Sequence, residues 1–178
     1  MEGYEKHINI YKKGRLLFPN FVDCTDIISA NYKGWMIYKA GSPGNRHAYM
    51  IDGDGNPIKG WDVNVYESRI IDIVPFDGHG FLCIDNSIGE WGLYTPDKKV
   101  IFRDYKLAHY NSTFDVYVVA KFNYGKKTYS YNVLRIDSDN KPIELLDEWA
   151  IELTEFNNSG KAVATLPSKK RVLVDVSK

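Results

Sequence analysis

The stretch "YMIDGDGNPIKGW", Tyr49 to Trp61, admits two readings. Asp52, Asp54 and Asn56 place side-chain oxygens at every second position, as the start of a calcium loop does. The same run is also an apolar strand, a polar turn and a second apolar segment, which is the pattern of a β-hairpin. The rest of the chain decides between them. Four other segments fall in register with this one: "INIYKKGRLLF" from Ile8, "GLYTPDKKVIF" from Gly92, "LRIDSDNKPIELL" from Leu134 and "VLVDVSK" from Val172. The position of Asp52 is held in turn by Tyr11, Thr95, Asp137 and Asp175, a period of about 42 residues that shortens at the end. Lysines occupy the would-be ligand positions in "YKKGRL", "TPDKKV" and "DSDNKP". An EF-hand loop also needs Gly at its sixth position and Glu at its twelfth; here Pro57 and Val63 stand there. What the copies share is therefore turn chemistry. Asp, Asn and Gly tolerate positive φ and bond to the local backbone.

A second signature recurs between these hairpins. "NYKGWMIYKA", "FDGHGFLCID", "TFDVYVVAKF" and "NNSGKAVATL" each set an apolar strand behind a polar or Gly-containing corner, with cores at Trp35–Tyr38, Phe81–Ile84, Val116–Val119 and Ala162–Ala164. The repeat is thus strand A, a loop, strand B, a tight turn, strand C and a longer crossover. One crossover, "DVNVYESRIIDIVPF", has room for a further short strand near Arg69–Val74. No window carries a convincing helical stripe, and "PIELLDEWAIEL", the nearest to one, falls where strand C and a crossover belong. Short strands at regular spacing, with turn residues between them, predict an all-β fold. Such units bury their apolar faces against one another. The first unit lacks strand A and the last lacks strand C. A small propeller-like ring is the expected arrangement, with an open β-solenoid as the alternative.

Composition fits this class. The chain has 178 residues, enough for a single domain over 1–178 with a real core. Aromatics make up 14%, including 13 tyrosines and 4 tryptophans, which favours strands. Lys and Arg total 23 and so do Asp and Glu, so a general polyanion binder is not expected and nucleic acid is an unlikely partner. The basic "SKKR", Ser168 to Arg171, reads as a turn. Cys24 and Cys83 are far apart, outside any C-x-x-C pattern, and read as buried free thiols. "MEGYEKHINIYKKGR" has no apolar run of signal-peptide type and no segment is long enough to span a bilayer, so a soluble, cytoplasmic protein is the expectation. The sequons at Asn111 and Asn157 carry little weight without a secretory signal.

"GEWGLYTPDKKVIFRDYKLA", Gly89 to Ala108, resembles a WG (KWG) repeat. Trp91-Gly92 match the name-giving pair, Lys98–Phe102 the turn and second strand, and Tyr105 the aromatic that follows; "FNNSGKAVATL" from Phe156 is similar to the family's next segment. The other copies are degenerate, with His7-Ile8, Ala48-Tyr49, Val133-Leu134 and Arg171-Val172 in place of Trp-Gly. The resemblance implies a scaffold for binding, with no shared catalytic residues. Trp91 is expected to cover a neighbouring repeat, and Gly92 to let backbones approach closely.

No other pattern carries chemistry. His7, His47, His79 and His109 are dispersed, without an H-x-x-x-H or His/carboxylate cluster, and neither a G-x-S-x-G elbow nor a phosphate loop is present. The expectation is a non-enzymatic protein without metal or cofactor. Recognition is expected on the variable A-to-B loops, "AGSPGNRHA", "DNSIGE" and "FNYGKKTYS", whose Arg46, His47, Tyr124, Lys126 and Lys127 are the candidate contacts. A protein partner is the leading expectation. A small-ligand or carbohydrate module with an aromatic pocket is the alternative.

Overall fold

A computed structural model describes residues 11–16, 24–39, 47–58, 61, 70–85 and 89–177. Strands β1 (Tyr11–Lys12), β2 (Arg15–Leu16), β3 (Cys24–Ser29), β4 (Gly34–Lys39) and β5 (His47–Asp52) come first. They are followed by β6 (Ile70–Ile73), β7 (Phe81–Asp85), β8 (Glu90–Tyr94), β9 (Val100–Tyr105), β10 (Leu107–Asn111) and β11 (Val116–Asn123). The last are β12 (Thr128–Ile136), β13 (Pro142–Glu144), β14 (Glu152–Leu153), β15 (Lys161–Thr165) and β16 (Arg171–Asp175). No helix occurs among the described residues, so the fold is all-β. The "IELLDEWA" segment is the end of strand β13 followed by irregular chain that bridges back to Tyr131 at Ala150.

The strands form small antiparallel sheets in the orders β1–β2, β3–β4–β5, β6–β7–β8–β9, β10–β11–β12–β13 and β14–β15–β16. Among them, β4, β7, β11 and β15 contain the expected strand A cores. The extra strand expected near Arg69–Val74 is β6, and it pairs with β7. It has companions that the sequence reading did not place: β3, β10 and β14 pair in the same way with β4, β11 and β15. These strands are short or half-exposed and lack an apolar alternation, so packing against the A strand selects them rather than local propensity.

Five turns share one geometry, whereas the Tyr11–Leu16 hairpin closes on Lys13 and Gly14 at φ 49° and 77°. Asp52 N–H donates to the Asn56 carbonyl at 2.8 Å and Gly55 N–H returns to the Asp52 carbonyl at 3.0 Å. The same pair of bonds closes Thr95–Lys99 (2.8 and 2.8 Å), Asp137–Lys141 (2.9 and 3.1 Å), Asn157–Lys161 (2.9 and 2.9 Å) and Leu166–Lys170 (2.9 and 2.8 Å). In each turn the fourth residue has positive φ: Gly55 at 91°, Lys98 at 62°, Asn140 at 60°, Gly160 at 73° and Lys169 at 67°. This is the three-residue hairpin in which a type I turn leads into a left-handed residue. The first side chain reinforces it. Asp52 Oδ1 accepts from the N–H groups of Asp54 and Asn56, both at 2.8 Å, and Asp137 Oδ1 accepts from those of Asp139 and Lys141 at 2.9 and 2.8 Å. The Asp52 carboxylate thus serves the turn, which identifies "IDGDGNP" as hairpin punctuation.

Two compact units are distinguished by their internal contacts: Met1–Gly89 with Leu93–Val100, and Glu90–Gly92 with Ile101–Lys178. In the first, Met36, Met50, Ile73, Phe81 and Cys83 are buried around Trp61, the last residue of the quoted stretch. The Trp61 ring meets Phe81 and Tyr94 edge-on at 5.4 and 6.4 Å, and its indole N–H donates to the Pro96 carbonyl at 2.9 Å. Burial pushes the Cys83 thiol well up. Two glycines let strands close on one another. A Cβ on Gly34 would collide with the Ile51 carbonyl oxygen, and one on Gly80 with the Tyr94 carbonyl oxygen. Ile51 and Tyr94 are equivalent positions of the hairpin pattern, each one residue before Asp52 or Thr95.

The second unit holds a core of Val116, Val133, Leu146, Ala150, Ala162, Ala164, Val174 and Val176. The opposite face of the β11–β12 pair buries Tyr117, Val119 and Leu134. Tyr117 lies 5.3 Å from Phe102. Asn132 is also fully buried there and fully bonded. Its Nδ2 donates to Glu144 Oε2 and the Leu146 carbonyl, each at 3.0 Å, and its Oδ1 accepts from Leu146 N–H at 3.2 Å. One amide side chain thereby fixes the path of the chain after β13.

Candidate functional site: an aromatic hairpin and its cleft

β11 and β12 have 8 and 9 residues. β10 covers β11 only as far as Ala120, and β13 covers β12 only over Leu134–Ile136. The far ends therefore project as a two-stranded hairpin, with Lys121 opposite Ser130, Phe122 opposite Tyr129 and Asn123 opposite Thr128. The burial pattern marks the change. β11 is buried or half-buried from Val116 to Ala120, then alternates between exposed and half-buried. Period-two alternation puts Phe122, Tyr129 and Tyr131 on one face of this hairpin. Phe122 and Tyr129 have ring centroids 4.9 Å apart, Tyr129 and Tyr131 6.4 Å, and Tyr124 meets Phe122 edge-on at 5.0 Å. The result is a continuous strip of rings. Tyr124 is 70% exposed and Tyr129 is 39% exposed.

Charged groups flank the strip. Lys106 Nζ stands 5.9 Å from the Tyr124 ring centroid and 3.1 Å from Glu90 Oε1. Its pKa is raised, first by the hydrogen bond to Glu90 and then by Tyr124. On the other face of β11, Lys121 Nζ lies 4.2 Å over Trp149 and 5.6 Å from Tyr105, while those two rings stack at 5.9 Å. Burial raises the Tyr105 phenol, with the charges of Glu144 and Asp104 adding to the effect. The loop at the tip is set by Asn123, whose Oδ1 accepts from Lys126 N–H at 3.0 Å, and by Lys127 at φ 52°.

At its inner end the strip reaches a cleft of about 350 Å³. His109, Asn111, Val118 and Tyr131 form one wall, and the segment from Leu153 to Phe156 forms the other. Tyr131 is fixed at this boundary by two backbone bonds with Ala150, at 2.8 and 2.9 Å. Thr154 is anchored by accepting from Val163 N–H at 2.9 Å.

Of the residues expected to make contacts, Tyr124, Lys126 and Lys127 come together on this hairpin tip. His47 opens β5 opposite Lys39, and Arg46 lies outside the described residues. Trp91 is half-buried and Gly92 buried. Phe122, Tyr129, Tyr131 and Lys106 were not singled out by the sequence reading; the F-x-Y…Y-x-Y alternation across "FNYGKKTYSY" was the available signal. Both sequon asparagines are turn residues. Asn111 Oδ1 accepts from Thr113 N–H, and Asn157 Oδ1 accepts from Ser159 and Lys161 N–H. Among the described residues, no three His, Cys, Asp or Glu side chains are grouped to hold a metal ion, and no helix is long and apolar enough to cross a membrane. No protein-family model matches the chain, and no curated protein is similar to it in sequence.

Proposed function

We propose that this chain is a non-catalytic binding scaffold that takes a protein partner on the projecting β11–β12 hairpin, as an adaptor, inhibitor or assembly component. The observation that carries this reading is the strip Tyr124–Phe122–Tyr129–Tyr131, whose outer rings stand on the end of β11–β12 that neither β10 nor β13 pairs, with Tyr124 70% exposed. Tyrosines offer large contact area at small conformational cost and are favoured as interface anchors. Lys106, Lys126 and Lys127 supply a polar rim of the kind that steers and orients a partner.

The scaffold itself is proposed to be a series of WG-like repeats, each a short antiparallel meander, arranged as a small propeller-like ring. The recurrence of one turn geometry at Asp52, Thr95 and Asp137, and of the close glycine approaches at Gly34 and Gly80, supports repetition.

Affinity capture with the wild-type chain and with a Phe122→Ser/Tyr124→Ser double variant tests the binding reading. A partner retained by the first and lost by the second is expected. Identical sets of captured proteins would sink it. A second reading, a carbohydrate or other small neutral ligand, is favoured by the aromatic-walled cleft at Tyr131 and Phe156. It calls for saturable thermal stabilisation by some member of a sugar panel.

A further inference from the structure

The cleft at the inner end of the strip has a charge pattern that selects its occupant. Glu155 lines it and is exposed, and its carboxylate has no hydrogen bond or ion pair among the described residues; only its backbone carbonyl is engaged, by the Thr154 hydroxyl at 3.2 Å. Among the described residues no lysine or arginine lines the cleft, and His109 is the one basic side chain on its wall. Tyr131 and Phe156, both half-buried, line the same cleft as Glu155, Phe156 also packing against Phe114 with ring centroids 6.1 Å apart, and Asn111 lines it with its Oδ1 accepting from Thr113 N–H. A volume of about 350 Å³ accommodates one long side chain. An unpaired carboxylate next to aromatic faces is the combination that holds a cation, and a guanidinium uses both features at once. It stacks on rings and donates a pair of parallel hydrogen bonds to a carboxylate. A neutral sugar would use the rings but has no use for the charge.

We propose that this cleft binds an arginine side chain of the partner, presented by an extended segment that runs along the Tyr131–Tyr129–Phe122–Tyr124 strip. The assignment rests on the binding reading above and adds the partner's chemistry: a basic residue flanked by apolar ones. Alternate side chains of an extended segment face the same way, so the arginine enters the cleft while the residues two and four positions along from it meet the strip.

The test uses the full chain, labelled with nitrogen-15, and follows the amide resonances of Asn111, Tyr131 and Glu155 during titration. The probes are N-acetyl-arginine amide, its neutral isostere N-acetyl-citrulline amide, and methyl glucoside. Saturable shifts with the arginine probe are expected, weaker by about tenfold for citrulline and for the Glu155→Gln variant, as a charge-assisted contact requires. Glu155 is exposed, so its glutamine variant is expected to keep an unchanged spectrum elsewhere. Equal response to arginine and citrulline, an unaltered response in Glu155→Gln, saturation by glucoside alone, or no saturation by any probe would each overturn the assignment. The two readings fail separately. A captured partner that binds wild type and Glu155→Gln equally removes the arginine assignment and leaves the hairpin reading. Arginine binding that persists while Phe122→Ser/Tyr124→Ser captures the same proteins as wild type removes the hairpin reading and leaves the cleft.

Discussion

Replacing Gly80 by Ala tests the close approach of strands that shapes the first unit. A Cβ at this position would press on the Tyr94 carbonyl group, with the carbonyl carbon 2.9 Å away and Leu93 Cδ1 at 3.3 Å. The obstacle is mostly backbone within β8, so no side-chain rotation relieves it. Gly80 is itself buried. Overpacking of this kind costs about 1–3 kcal/mol. Alanine also restricts the unfolded chain, which offsets roughly 0.4–1 kcal/mol. The net expectation is a loss of about 1.3 kcal/mol, which lowers a urea midpoint by roughly 0.6 M at an m-value of ~2 kcal/mol/M. Gly53→Ala is the internal control, since a Cβ there meets nothing within 4 Å. It is expected to lie within about 0.5 kcal/mol of wild type. Urea unfolding followed by circular dichroism compares the three proteins. Indistinguishable midpoints for Gly80→Ala and Gly53→Ala would refute the steric reasoning.

Further predictions concern the polar groups. Asp52 has a pKa held below its ordinary value of 3.8, chiefly by the Asn56 N–H, against an opposing desolvation effect. A carboxyl with a lower pKa folded than unfolded stabilises the fold above 3.8, and that contribution is lost as pH falls through the folded value. Wild type should therefore lose more of its urea midpoint than Asp52→Asn between about pH 5 and about pH 2; parallel curves would contradict the role given to this turn. Asn132→Asp puts a carboxylate beside Glu144 and the Leu146 carbonyl in place of a donor. Its expected cost is about 3–5 kcal/mol at neutral pH, partly recovered in acid where the carboxyl can donate again. A loss below about 1 kcal/mol would show that this buried bond set does not fix the chain path. Asp137→Ala removes the acceptor for two backbone N–H groups and should cost on the order of 1 kcal/mol, whereas Asp137→Asn should cost little. Equal losses for both substitutions, measured by thermal unfolding, would count against the side-chain bond.

Much of the fold was legible because it depends on local chemistry. The hairpin turns were readable at Asp52, Thr95 and Asp137, where a left-handed residue follows a type I turn, and the A strands were readable from apolar runs such as "FLCID". The strands that flank them were harder to see. β10, "LAHYN", and β14, "EL", carry no period-two apolar face, and pairing with β11 and β15 determines them. Trp91 drew attention through its motif, yet the fully packed indole is Trp61, because its N–H finds the Pro96 carbonyl across the first unit. The candidate site was half legible. Tyr124, Lys126 and Lys127 follow from loop composition alone. Phe122, Tyr129 and Tyr131 join them only once the register of β11 against β12 is known, and Glu155 enters the cleft wall through the connection after β14.

The binding account is tested most directly by site-specific photocrosslinking. A benzophenone-bearing residue is placed at Tyr124 in one sample and at Leu173, an apolar residue 62% exposed on β16, in another. Irradiation in lysate of the source cells should give a defined adduct from position 124, identifiable by mass spectrometry, that position 173 does not give. The same adducts from both positions, or none from position 124, would contradict a partner seated on the β11–β12 hairpin.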